Sequence, residues 1–352
     1  MLHLREKAGA KTMNPGGGVG TADEQQRSVA IDFIRAFSIL WIVGLWHVID
    51  YLPEVGQARN AVTYRITVAL LGLFVLVSGY LMGRKDVAFE ARSLRGFYVG
   101  RFGRIYPPFI VACLLFAICK LSTPLPLIKA ALLGAMLWGP PPNTLWFIAM
   151  IALFYAATPL FIIARRNPPI YLGLAVALTL AAVAGAHFTD GRMDPRLAMY
   201  LPSYCAGIWL AGHAVRWSKL LLIGLATALP ALALSLLSGT DIVEKSMWSM
   251  PWALAGSVAL FGAAMRFDRN LPRWGWVLVI AQASYFLYLL HRPIYAIFLK
   301  LHDAPYWPDR AAYLIFLPLP VAILLAWTGQ HIYDRLWNRV TARRRALTLD
   351  MA

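Results

Sequence analysis

The chain has 352 residues, 59% of them apolar or aromatic and only 14% charged, with a mean hydropathy of +0.60. Ordinary soluble domains carry roughly 25% charged residues. A soluble core has no room for this much apolar surface, so the composition excludes a disordered chain, a collagen-like fibre and a typical soluble enzyme and makes the bilayer the solvent. The net charge of +16 arises from 33 Lys and Arg against 17 Asp and Glu. These bases sit in short loops between apolar runs, without a basic helix or an aromatic–basic sheet motif. That pattern points to membrane lipid and not nucleic acid as the partner.

Residues 1–28 are polar, contain Gly16-Gly17-Gly18 and lack the apolar stretch of a signal peptide. They read as a disordered cytoplasmic tail, with Met13 as an alternative start. Ten apolar runs follow, at 30–49, 64–83, 105–121, 144–164, 169–188, 197–215, 219–238, 248–265, 276–299 and 312–332. A weaker run at 125–138, carrying Lys129, reads as a re-entrant or interfacial segment, and 336–352 as a basic cytoplasmic tail. With the N-terminus in the cytoplasm, twenty-two of the 33 bases fall in segments on that side and nine on the other, while Arg35 and Arg292 lie inside runs. A wrong helix count scrambles this asymmetry. The expected fold is therefore an all-α integral membrane protein: a bundle of about ten transmembrane helices over residues 29–335, both termini cytoplasmic, in the cell membrane. The longest inside loop, 84–104, is too short for a soluble catalytic domain, and no internal repeat supports an inverted-repeat transporter.

Ionisable groups inside spans are costly and therefore informative. In the first run Asp32 and Arg35 are three residues apart and share a helix face, as do His47 and Asp50. Asp50 is placed to orient the His47 imidazole and raise its basicity. Arg35 and His47 are about 18 Å apart along a helix axis, so if both act they hold different ends of something long. After the second run come Arg92, Arg95, Arg101, Arg104 and then Pro107-Pro108, which read as a helix start or a break. Clustered arginines suit a phosphate-bearing ligand. In the ninth run His291-Arg292 precedes Pro293, which is placed to kink the helix and free a carbonyl for the pair. Structural roles compete for all of these residues: an interfacial ion pair, positive-inside anchoring, or a polar knot between helices. Cys113, Cys119 and Cys205 lie in apolar runs and are odd in number, and no two histidines have metal-ligand spacing, so neither a disulfide framework nor a metal is expected.

Four segments together resemble the membrane-bound acyltransferase 3 family, which includes sugar and polysaccharide O-acetyltransferases. They are Asp32-Phe33-Ile34-Arg35 leading to His47; Phe74-Val75-Leu76-Val77-Ser78-Gly79-Tyr80; Arg101-Phe102-Gly103-Arg104-Ile105-Tyr106-Pro107; and Ser284-Tyr285-Phe286-Leu287-Tyr288-Leu289-Leu290-His291-Arg292-Pro293. Leu145-Trp146-Phe147 also fits, and the resemblance covers roughly 29–335. It implies an acyl-CoA donor, usually acetyl-CoA, and a hydroxyl-bearing glycan or glycolipid acceptor. On that implication Arg35, Arg95, Arg101 and Arg104 hold the donor, with Asp32 steadying Arg35. His47 is the general base or, in a variant, the acylated residue, and Asp50 fixes its tautomer. His291 and Arg292 stabilise the oxyanion or position the sugar. One departure stands out: the family's first-helix arginine and histidine usually have ten residues between them, and here eleven, 36–46, intervene. Twelve α-helical steps turn the histidine about 120° off the arginine's face, so either a local bulge absorbs the extra residue or the two do not share a cavity. A transporter of a small anion or glycan, and an inactive relative, are the competing classes. The motif from Arg101 to Pro107 is not something transport requires.

Overall fold

The computed structural model describes residues 28–85 and 87–349, the last seven of these by backbone alone. The tail expected over 1–28, with its alternative start, falls outside the described residues apart from Ser28. Among the described residues twelve α-helices occur in order: α1 (Val29–Trp41), α2 (Ala61–Gly83), α3 (Ala91–Ile118), α4 (Pro124–Ala131), α5 (Trp146–Ala164), α6 (Pro168–Phe188), α7 (Arg196–Gly212), α8 (Trp217–Leu236), α9 (Ile242–Arg266), α10 (Gly275–Leu301), α11 (Trp307–Phe316) and α12 (Pro318–Leu349). A π-helical turn, Ile42–Trp46, and short 3-10 turns extend α1. No strand occurs among the described residues.

Nine helical segments among the described residues are long and apolar enough to cross a bilayer, each on an expected run. The sixth expected run is α7, whose seventeen residues span about 26 Å. It lies in the bundle interior against α2 and α9, with Tyr200, Tyr204 and Ile208 buried. The weak run at 125–138 contains only the eight-residue α4, held by Tyr106 Oη donating to the Ala131 carbonyl and Lys129 Nζ donating to that of Gly139. The boundary expected at residue 336 is unmarked, because α12 runs through it.

The sequence explains several helix ends. Asn60 and Thr63 form a reciprocal capping box at the start of α2, and Asp241 caps α9 through the backbone N–H groups of Val243 and Glu244. Asp268 accepts from the Ser28 hydroxyl at 3.0 Å and the Ala30 N–H at 2.6 Å, which puts a carboxylate on the positive end of α1.

Pro107 and Pro108 neither start nor break α3, which runs straight through them. Proline at 107 removes the donor that would reach the Gly103 carbonyl four residues back. The Tyr333 hydroxyl from α12 donates to that carbonyl instead, and Tyr285 of α10 donates to the Ile105 carbonyl. A freed carbonyl inside a membrane helix is tolerated when a neighbouring helix satisfies it.

Small residues bring the central helices into backbone contact. A Cβ on Gly207 would lie 2.1 Å from the Leu76 carbonyl oxygen, and one on Gly79 would lie 2.2 Å from that of Tyr204. α2 and α7 therefore cross with no side chain between them, as small-residue interfaces allow in membranes. Gly207→Leu is expected to lower the melting temperature in detergent, at a cost of about 1–3 kcal/mol or more. Gly100→Leu, where nothing lies within 4 Å, leaves it unchanged. Equal melting of both variants with wild type would contradict this crossing.

Candidate active site

The extra residue between Arg35 and His47 is absorbed by the π turn. The His47 N–H reaches back five residues to the Ile42 carbonyl at 2.9 Å, where an α-helix would reach back four. A π turn lodges one surplus residue without disturbing the helix on either side. Both side chains consequently face α10: Arg35 donates to Ser284 Oγ at 3.0 Å, and His47 Nδ1 lies 2.8 Å from His291 Nε2. The Tyr295 hydroxyl, also from α10, donates to the Val43 carbonyl inside the turn.

The geometry of the histidine pair dictates its proton positions. His291 Nδ1 lies 3.1 Å from the Leu287 carbonyl, which only accepts, so that nitrogen carries a hydrogen. In the neutral ring His291 Nε2 is then an acceptor, and His47 Nδ1 is the donor to it. The remaining nitrogen, His47 Nε2, holds a lone pair and is the basic atom of the chain. The ring planes are nearly parallel, 5° apart, with centroids 4.8 Å apart, and both residues are buried. Pro293 frees the carbonyl of Leu289, not the Leu287 carbonyl that His291 uses, so the expected pairing through the proline is not the one found.

Asp50 does not orient His47. Its carboxylate lies between Arg59 and Arg292 and pairs with both. Arg59 is itself fixed by the Trp46 carbonyl at 3.1 Å and by the Trp46 ring at 4.7 Å. The 3-10 turn at Ile49–Tyr51 carries Asp50 away from the imidazole and toward the two guanidinium groups, and His291 takes over the tautomer-fixing contact.

A cavity of about 810 Å³ opens at the end of the bundle where α1 begins and α2 finishes. Arg84, Lys85, Arg101 and Arg104 line it, with Gln330, His331 and Asp334 from α12. Asp32 and Arg35 line its wall farther along α1, and Ile42, Phe74, Phe147 and Tyr288 form its far end. Arg101 stacks over the Tyr155 ring at 4.5 Å and donates to that hydroxyl at 2.9 Å, while its Nε is buried without a hydrogen-bond partner among the described residues. Of the four arginines expected at a phosphate site, Arg35, Arg101 and Arg104 line this cavity. Arg95 does not, because nine helical steps before Arg104 place it on the opposite face of α3, where it is exposed.

Several residues escaped the sequence reading. Arg84 and Lys85 were visible only as topology charges. Ser284 and Tyr288 were quoted only as part of a motif and given no role, although their four- and three-residue spacing to the expected His291 puts all three on one stripe of α10. Among the described residues no group of three or more His, Cys, Asp or Glu is placed to hold a metal ion.

The family model described as an acyltransferase domain, that of the acyltransferase 3 family, matches residues 28–328. No curated protein and no solved structure matches the chain.

The paired rings make a spectroscopic prediction. In ring-¹⁵N-labelled protein, assigned with His47→Gln and His291→Gln variants, both histidines are expected as the Nδ1–H tautomer, against the usual preference for Nε2–H in solution. Finding His47 protonated at Nε2 and bare at Nδ1 would overturn the donor order.

Proposed function

The chain belongs to the acyltransferase 3 family, and from that premise we propose that it moves an acyl group, most simply acetyl, from acyl-CoA to a hydroxyl of a sugar, polysaccharide or glycolipid. The observation that carries this reading is a buried imidazole base just beyond the closed end of a cavity whose open end is lined by four cations. Acyl-CoA has this polarity: a phosphate-rich head, a thin arm and a reactive thioester at the tip. Arginine forks suit its phosphates, and the buried, unpartnered Nε of Arg101 is a donor awaiting an acceptor. The excess of bases at the cavity mouth supports a mouth that faces the cytoplasm, where CoA is made, and this reading puts the chain in the cell or inner membrane.

In this mechanism His47 Nε2 withdraws the proton from the acceptor hydroxyl as its oxygen attacks the thioester carbonyl. The acyl carbon–oxygen bond forms and the carbon–sulfur bond breaks. The departing thiolate recovers the proton from His47, giving free CoA and the ester. His291 holds His47 in the right tautomer and shares the transient positive charge through the Nδ1 hydrogen bond. General base catalysis of this kind contributes about 10²–10⁴-fold. Asp50 holds Arg292 and Arg59 at the same end, where their charge is available to the acceptor and to the developing oxyanion.

Transfer of labelled acetyl from acetyl-CoA to membrane glycan tests the reading. His47→Ala is expected to lose about 10²–10⁴-fold. His291→Gln, whose amide oxygen still accepts from His47, is expected to retain more activity than His291→Phe, which accepts nothing. Wild-type protein that labels no acceptor from any acyl-CoA would remove the proposal, and equal labelling by His47→Ala would remove His47 from it. Arg104→Ala is expected to raise the KM for donor about tenfold, the worth of one charge-assisted hydrogen bond, with kcat little changed. An unchanged KM would detach the cavity mouth from donor binding.

A further inference from the structure

The far end of the cavity has a different character from its mouth. It is walled by Ile39 and Ile42 of α1, Phe74 of α2, Phe147 of α5 and Tyr288 of α10. The histidine pair lies behind this wall and not in it. Tyr288 stands between the two, its ring centroid 6.3 Å from that of His47, 5.9 Å from that of His291 and 5.5 Å from that of Phe147. The tyrosine is pinned, since its hydroxyl donates to the Thr144 carbonyl at 2.7 Å. Phe147 is wedged edge-on against Phe74, with centroids 6.4 Å apart, and both Phe147 and Tyr288 are buried. Two cations lie near Tyr288 and both are already paired, Arg292, one turn further along α10, with Asp50 and Arg196 with Asp194; Arg35 of α1 is held on Ser284, one turn toward the mouth.

We propose that Phe147, backed by the pinned ring of Tyr288, is the specificity-determining residue that limits the transferred group to a short, uncharged acyl chain. This rests on the acyltransferase reading above. A thioester delivered to His47 from the arginine-lined mouth puts its acyl chain at the apolar end. There a further methylene meets aromatic rings that are themselves packed, and overpacking of that kind is costly. A terminal carboxylate, as in a succinyl group, would have to compete with Asp50 and Asp194 for the Arg292 and Arg196 guanidinium groups they already hold, at a depth where an unpaired charge is costly.

The test is competition between acetyl-, hexanoyl- and succinyl-CoA in the transfer assay, run in parallel with binding of S-ethyl and S-hexyl CoA, thioethers that need no turnover to be read. Wild-type protein is expected to prefer acetyl over both rivals by at least about tenfold, within the discrimination that a methylene-sized pocket supplies. Phe147→Ala is expected to raise the hexanoyl-to-acetyl ratio and the S-hexyl-to-S-ethyl binding ratio about tenfold or more, and Phe147→Leu to raise them less. Phe154→Ala, a buried phenylalanine of α5 that packs on Tyr204 away from the cavity, leaves both ratios unchanged. Ratios that stay at the wild-type value in both Phe147 variants, while acetyl transfer or thioether binding persists, overturn the assignment and leave the acyltransferase reading standing. Equal use of hexanoyl or succinyl by wild type overturns it as well. Absence of both transfer and thioether binding in wild type overturns the acyltransferase reading itself, and this inference with it.

Discussion

The bond between His47 and His291 fixes how α1 meets α10, and much of the site follows from it. Both imidazoles are buried, and a polar group left unpaired at that depth costs on the order of several kcal/mol. Arg35 on Ser284 repeats the constraint nearer the cavity mouth. A slip of one residue along either helix would turn its groups about 100° and unpair both bonds at once, so the register of the two helices is specified by polar contacts and not by apolar packing. Asp268 clamps the start of α1, and Tyr295 takes the Val43 carbonyl near its end. The helix that carries the base is thus held along its length.

Tyrosines act in this protein as fasteners for irregular backbone. Tyr333 reaches the carbonyl that Pro107 leaves without a donor, Tyr285 reaches that of Ile105, and Tyr288 reaches that of Thr144, just before α5. Each presents an apolar body to its neighbours and spends its hydroxyl on a carbonyl, which suits an interior that mixes lipid-like packing with backbone breaks. The consequence for function is positional. Because α3 stays helical through two prolines, Arg101 and Arg104 remain on one face and line the cavity together. Because the Tyr288 hydroxyl is anchored on the Thr144 carbonyl, its ring keeps one place at the closed end of the cavity, next to the histidine pair.

The cavity divides its chemistry by depth. Charge gathers where the helices end and water is near, and aromatic and branched side chains take over where the cavity closes. A ligand that is anionic at one end and apolar at the other matches this gradient without any charge being left unpaired.

Composition and charge asymmetry by themselves determined that this is a multi-pass helical membrane protein, and where nearly every long helix lies, because a bilayer demands apolar runs of a set length whatever their neighbours. The motif residues His47, His291, Arg35, Arg101 and Arg104 were also legible, since a polar group in such a run is conspicuous. Their partners were not. Asp50, three residues from His47, looked like its orienting carboxylate, but the 3-10 turn after the π segment sends it to Arg59 and Arg292. Arg95 looked like a cluster member until helix phase put it on the outer face of α3. The surplus residue before His47 left two outcomes open in the sequence, and only the packing of α1 on α10 chose the π turn. Local spacing states which groups exist and which face of an ideal helix they share. Which of them meet depends on how separate helices pack, and that is decided by contacts between residues some 250 positions apart in the chain.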